Sequence, residues 1–246
     1  MQAQREGLLK TVGVPQAQKR PPAPPLSELV SVRMRVLRNR YFVMRHGESK
    51  ANVLGVAVGD PRRGLEGFGL TDPGRRQAVE AAEAFKKTYS PSLDGTAIVA
   101  SDFRRARETA ELLAEGLGNY VLIGLSKGLR ERSFGELEGK DYRTIAALLE
   151  TEGSAALIGR YGCEAPEVAQ NRVVRVIRDL EQKQQKRTVI LVSHADPIQL
   201  LMAAFAGLDV SEYERIVALD CAEIAELSLD MPLRFKNGTK GVSGYL

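Results

Sequence analysis

Tyr41-Phe42-Val43-Met44-Arg45-His46-Gly47 is a short apolar run ending in a charged turn. A run of this length suits a buried strand. Gly47 lets the chain turn there and approach a ligand closely. Working outward, the same signature recurs at Thr188-Val189-Ile190-Leu191-Val192, followed by Ser193-His194. Thr96 to Ala100 and Tyr120 to Ile123 read as two more short strands, and Ala222 to Leu229 alternates weakly as a last one.

Helical patterns separate these strands. Thr71 caps a helix with Pro73 in its first turn, and Ala78, Ala82 and Phe85 recur at helical spacing. Ser101-Asp102 open a second helix with Phe103, Ala106, Ala110, Leu113 and Leu117 on one face. A long helix from about Pro166 carries Ala169, Val173, Val176, Ile177 and Leu180, and Asp196-Pro197 open a helix through Phe205. Strands alternating with helices predict an α/β fold, a three-layer α/β/α sandwich around a mostly parallel sheet. Ligands in such sheets bind beyond the carboxyl ends of the strands. His46 and His194, the two histidines of the chain, both follow strands and are expected on that edge.

The 246 residues are ample for a core without disulfides or metals. Residues 1–39 read as a basic, Pro-rich extension, with Pro21, Pro22, Pro24 and Pro25 favouring an extended path, and residues 40–246 as the folded domain. Residues 1–40 carry eight Lys/Arg against Glu6 and Glu28, so the remainder of a chain of net charge +4 is slightly acidic. A basic tail on an acidic domain argues against a nucleic-acid partner. The longest clean apolar stretch, Leu200 to Leu208, is far shorter than the ~20 residues a membrane span needs. Cys163 and Cys221 form no paired metal or redox motif. These features predict a cytoplasmic protein. Organelle targeting through the Arg-rich, acid-poor extension is the alternative.

A histidine beside an arginine is held neutral and nucleophilic, because the cation disfavours the imidazolium. Arginine also grips phosphate through its fork of donors. Arg45-His46 therefore suits an anionic substrate, although so short a motif is only suggestive.

The wider pattern is more specific. Arg45-His46-Gly47-Glu48-Ser49 with Asn52, then Leu70-Thr71 with Gly74, Gln77 and Ala78, then Ser101-Asp102-Phe103-Arg104-Arg105-Ala106 with Thr109-Ala110, follow one another along the chain. Leu129, Glu131, Arg132, Gly135, Glu138 and Gly139 come next, and Val192-Ser193-His194 last. This collinear set resembles the histidine phosphatase superfamily, in its phosphoglycerate-mutase-like branch, over about Tyr41 to Leu229. The resemblance implies a phosphohistidine mechanism with His46 as nucleophile. Arg45 and Arg105 would clamp the phosphoryl oxygens, His194 would add a donor, and Asn52 would support the pocket. Glu131 would protonate the leaving oxygen and then deprotonate water. Within the triplet Arg104, Arg105 and Arg107, only the motif register selects Arg105. Two arginines and two imidazoles around one phosphoryl group need no metal or other cofactor.

Two departures bear on function. Ala195 follows the second histidine where the family usually has glycine. The chain also has no tryptophan, whereas the family's glycolytic mutases carry one after the first motif and a long closing insert. Here the stretch from Lys140 to Pro166 is short. A mutase must keep its phosphohistidine dry and a phosphatase must admit water, so the lean cap favours a metal-independent phosphomonoesterase acting on a small phosphorylated metabolite. A phosphoglycerate mutase-type phosphotransferase and a weakly active phosphate-binding or interaction module are the alternatives. Specificity is expected from Val53 to Gly69 and Lys140 to Pro166. Arg62 and Arg63 read as a solvated loop pair, the cysteines as apolar fillers, and a homodimer is left open.

Overall fold

The computed structural model describes residues 37–89, 96–118, 122–183 and 185–236. The chain enters β1 (Arg40–Arg45), forms short helices α1 (Lys50–Leu54) and α2 (Pro61–Gly64), and then the long α3 (Asp72–Tyr89). β2 (Ala97–Ala100), α4 (Arg104–Leu117) and β3 (Leu122–Leu125) follow. α5 (Tyr142–Glu152) and α6 (Ser154–Tyr161) precede α7 (Pro166–Lys183), β4 (Thr188–Ser193), α8 (Ala195–Phe205) and β5 (Ile224–Leu227).

The strands form one sheet in the order β3-β2-β4-β1-β5. β1, β2, β3 and β4 run parallel and β5 pairs antiparallel to β1. Alternation along the central strands divides the core. Tyr41, Val43, Val189 and Leu191 face α7 and α8, while Phe42, Met44, Ile190 and Val192 face α3 and α4. The central strands are thus buried on both faces, which is why they read as unbroken apolar runs. The architecture is the expected three-layer α/β/α sandwich.

Several boundaries move, each for a local reason. β3 lies two residues beyond the expected Tyr120 to Ile123, and 119–121 fall outside the described residues. α4 starts at Arg104 rather than at Ser101-Asp102, since Ser101 Oγ accepts the Phe103 N–H and serves the turn. β5 starts at Ile224 rather than Ala222. Ala222 has φ 62°, and its N–H lies 3.1 and 3.2 Å from the carbonyls of Arg45 and His46. The stretch from Lys140 to Pro166, short as it is, holds two helices.

These two helices share a small third core with the loop after the first motif: Ala57, Phe134, Leu137, Ile145, Leu157 and Cys163. Backbone bonds stitch them together, Tyr142 N–H to Gly55 O at 2.9 Å and Gly139 N–H to Ala57 O at 2.8 Å. The two segments expected to set specificity therefore form one cap. The Pro-rich extension lies outside the described residues except at its end. There Leu37 packs on the core, and the Arg38 and Asn39 N–H groups donate to the Glu181 carboxylate.

Candidate active site

The sheet register brings the two histidines together. Arg45 pairs with Ser193, and the His46 N–H donates to the Ser193 carbonyl at 3.0 Å. His46 and His194 therefore leave adjacent parallel strands at the same level, their rings edge-on with centroids 5.1 Å apart. β2 ends beside them. Ser101 N–H donates to Val192 O at 2.9 Å, which puts Ser101 Oγ 2.9 Å from His194 Nε2.

A small cavity opens beyond this edge. Five of the six expected site residues line it: Arg45, His46, Asn52, Arg105 and Glu131. The sixth, His194, stands behind His46, wholly buried and outside the lining. Ser49, Ala51, Tyr142 and Ala195 complete the walls. Ala195 keeps negative φ in the first turn of α8, so alanine in place of glycine does not strain the backbone there. Arg62 and Arg63 are exposed and do not line the cavity. Asn52 is fixed by a reciprocal cap: its Oδ1 accepts from Ser49 N–H and Oγ at 3.0 and 2.7 Å, and its own N–H donates back to Ser49 Oγ.

The arginine register is settled by partners. Arg104 turns back to Glu108 and the Glu66 carbonyl, and Arg107 to the Leu65 carbonyl. Arg105 alone of the three points inward. Its Nη2 donates to Val58 O at 2.9 Å and its Nε to His46 Nε2 at 3.0 Å.

That last bond fixes the protonation of His46. A guanidinium can only donate, so Nε2 must hold its lone pair. Nδ1 lies 2.8 Å from the Gly47 carbonyl, which can only accept, so Nδ1 carries the proton. Burial first, then the charges of Arg105 and Arg45, push the His46 pKa well below the ordinary range. His194 is lowered in the same way, by burial and then Arg105.

Four buried side-chain N or O atoms among the described residues lack a hydrogen-bond partner. Three of them are Arg45 Nε, Arg105 Nη1 and His194 Nδ1. Leaving a buried donor unsatisfied costs about 1–3 kcal/mol. Two guanidinium donors left so in one cavity make a site built for a multivalent acceptor, an anion. Among the described residues no group of His, Cys, Asp and Glu side chains is placed to hold a metal ion.

Glu131 faces these cations from a buried position, 6% exposed. Burial raises its pKa to about 7, with a further push from the Asp196 charge. Arg105, the Arg132 N–H on its Oε1 at 2.9 Å and the Arg132 charge pull the other way. The carboxyl therefore gains and loses its proton near neutrality. Asp196 itself is pinned by Arg132 Nε at 2.8 Å in a buried ion pair.

Sequence reasoning left these supporting residues unassigned. Thr109 Oγ1 accepts the Gly47 N–H at 3.1 Å and donates to the Arg105 carbonyl at 2.7 Å, tying the loop that begins with His46 to the helix that carries Arg105. Arg130 grips Asp102 with two bonds of 2.6 Å. Tyr142 enters from the cap at the start of α5, behind the Asp141 cap that its sequence signals. Asp196 is visible in the sequence only as a helix opener.

The chain's residues 41–231 match the family model of the histidine phosphatase superfamily (branch 1). A glucosyl-3-phosphoglycerate phosphatase of Mycolicibacterium vanbaalenii is 31% identical over 200 residues, 77% of this chain and 84% of that protein. A probable phosphoglycerate mutase of Erwinia tasmaniensis is 28% identical over 189 residues, 74% of this chain and 81% of that protein. Among solved structures, a mycobacterial glucosyl-3-phosphoglycerate phosphatase in complex with VO3 superposes with a TM-score of 0.63 at 27% identity. That match covers 80% of this chain and 96% of the other.

Proposed function

The chain belongs to the histidine phosphatase superfamily, branch 1, and from that premise we propose that it is a metal-independent phosphomonoesterase working through a phosphohistidine on His46. The observation that carries this reading is the tautomer of His46. Its Nε2 lone pair faces the cavity's cations while Nδ1–H is anchored on the Gly47 carbonyl.

In the first half-reaction the substrate's phosphoryl oxygens take the Arg105 Nε–H away from His46. The freed Nε2 lone pair attacks phosphorus. The bond from phosphorus to the ester oxygen breaks as that oxygen takes the Glu131 proton and leaves as an alcohol. Arg45, Arg105 and Asn52 hold the phosphoryl oxygens. Ser101 Oγ already accepts from Phe103 N–H and can donate to His194 Nε2, leaving the proton on Nδ1 as a further donor. In the second half-reaction the Glu131 carboxylate takes a proton from water, whose oxygen attacks phosphorus. The N–P bond breaks, inorganic phosphate leaves, and Glu131 is protonated again. One carboxyl serves both steps because they are mirror images. Preorganised donors of this kind are typically worth ~3–4 kcal/mol each in the transition state.

The substrate class is a small phosphorylated molecule. The relatives named for glucosyl-3-phosphoglycerate put phosphoglycerate and sugar-phosphate esters first on a substrate panel. The relative named a probable phosphoglycerate mutase supplies the second reading, phosphoryl exchange between a bisphosphate-primed histidine and a monophosphate substrate.

The test is hydrolysis of p-nitrophenyl phosphate in EDTA by wild type and His46→Ala, with intact mass of enzyme quenched and kept at alkaline pH, where an N–P bond survives. Turnover and one added phosphoryl group in wild type alone are expected. Turnover by His46→Ala at the wild-type rate would sink the reading, and transfer exceeding hydrolysis in a bisphosphoglycerate-primed assay would favour the mutase.

A further inference from the structure

Beyond a single 3-10 turn at Lys127–Leu129, the segment that carries Glu131 has no helix or strand to satisfy its carbonyls. Four consecutive carbonyls, Gly128 to Glu131, are nevertheless all taken, by only two side chains. Ser193 Oγ donates to Leu129 O at 2.7 Å. Arg172, on α7, donates to the other three: Nη1 to Gly128 O at 2.9 Å and Arg130 O at 2.6 Å, and Nη2 to Glu131 O at 3.1 Å.

Glu164 aims the guanidinium. Its carboxylate receives Arg172 Nε at 2.8 Å and Nη2 at 2.9 Å, so the fork is held from one side while it grips the loop on the other. The Glu164 main chain continues the tie: its N–H donates to Ser133 O at 2.8 Å, and its carbonyl accepts from Arg132 Nη1 at 3.4 Å. At Gly128 the loop lies directly on α7, where a Cβ would meet Val176 Cγ2 at 2.5 Å. A lysine cannot replace this arrangement, because a point charge with three rotatable donors lacks the planar fork.

We propose that Arg172 and Glu164 are positioning residues. They form a clamp that fixes where the Glu131 carboxyl stands relative to the leaving oxygen. The inference rests on the acid role proposed for Glu131. A misplacement of about 1 Å can cost about 10²-fold in rate. Proton delivery matters most when the leaving oxygen is strongly basic, so a loosened clamp penalises alkyl esters and spares activated aryl esters. A purely structural role penalises both alike.

The experiment measures kcat/KM for glycerol 2-phosphate and for p-nitrophenyl phosphate in wild type, Arg172→Lys and Glu164→Gln, with circular dichroism to confirm folding. Both variants are expected to lose about tenfold or more on the alkyl ester and under about threefold on the aryl ester. Glu131→Gln should show the same skew. Equal losses on both esters, or none on either, overturn the clamp. Where Arg172→Lys does not fold, the isosteric Glu164→Gln decides alone. A wild type that hydrolyses neither ester brings down the phosphatase reading and the clamp with it; an active wild type with unskewed variants brings down the clamp only.

Discussion

Arg105 Nε donates to His46 Nε2 at 3.0 Å, so a guanidinium sits on the lone pair that the proposed chemistry uses. The contact serves two ends. It holds the imidazole neutral and in one tautomer, and it keeps a donor at the place where phosphoryl oxygens arrive. An anionic substrate offers that donor a stronger acceptor than a ring nitrogen. Binding and unmasking of the nucleophile are then one event.

Arg105→Ala should therefore act twice. Loss of the clamp is expected to lower kcat/KM by about 10²- to 10³-fold, the range for removing one preorganised donor. Loss of the cation should also let His46 protonate more readily, because Arg105 is, after burial, the main influence depressing its pKa. NMR titration of the His46 ring should find its pKa higher in the variant. An unmoved titration would separate Arg105 from the control of His46.

The pH profile should report Glu131. The first half-reaction needs its proton, so kcat/KM on an alkyl ester should fall as pH rises through about 7. Asp196 raises that pKa and Arg132 and Arg105 lower it. Asp196→Asn removes the anion and releases Arg132 from its ion pair, and both changes favour the Glu131 carboxylate. The descending limb should move to lower pH. A limb that stays in place, measured on the alkyl ester, would remove Asp196 from the control of Glu131.

The same carboxyl should weaken the fold at high pH. Its pKa is raised from 4.5 to about 7. The raised value favours the protonated form in the folded state. Its contribution to stability is fully present below pH 4.5 and is lost as pH rises through about 7. A shift of that size corresponds to about 3 kcal/mol. Glu131→Gln has no such proton to lose. Its stability relative to wild type should rise between pH 5 and pH 8 in denaturant titrations, although its activity on alkyl esters falls. A constant difference across that range would contradict the buried, proton-holding Glu131 described above.

How much of this is legible in the sequence differs from residue to residue. Tyr41 to Met44 and Thr188 to Val192 declare themselves because strands buried on both faces are apolar without interruption. The histidines follow from them, since a parallel register delivers both strand ends to one edge. Arg105 is separable from Arg104 and Arg107 only by motif register, because the partners of the outer two lie in the loop around Leu65 and at Glu108, and a linear pattern does not display them. The helices between Tyr142 and Tyr161 stay hidden because their small core is shared with Ala57 and Phe134, distant in sequence. Arg172 is the least legible. It lies with Arg175 and Arg178 on an otherwise ordinary amphipathic helix, and only the folded loop distinguishes it. The proton affinity of Glu131 likewise depends on Asp196, which reaches it through the fold alone.

One further expectation concerns glycines that the motif pattern contains but does not explain. At Gly74, in the first turn of α3, a Cβ would stand 2.0 Å from the Glu48 carbonyl oxygen; one at Gly47 would stand 2.4 Å from the Gly74 carbonyl oxygen. The helix and the loop that begins with His46 thus meet backbone to backbone. Gly47 is further held by Thr109 Oγ1, and the Glu48 N–H by Gln77 Oε1 at 2.9 Å. The added methyl in Gly74→Ala has only main chain to push against, and the chain it pushes carries His46. Overpacking of this kind typically costs about 1–3 kcal/mol, and here kcat should fall with stability. Gly159→Ala is the contrast, since Gly159 lies within α6 with nothing within 4 Å of its Cβ position. That substitution should be neutral or stabilising by up to about 1 kcal/mol, as alanine is the better helix former. Thermal unfolding and p-nitrophenyl phosphate turnover of the two variants, side by side, decide the matter. If Gly74→Ala is as stable and active as Gly159→Ala, the close approach of α3 does not position His46.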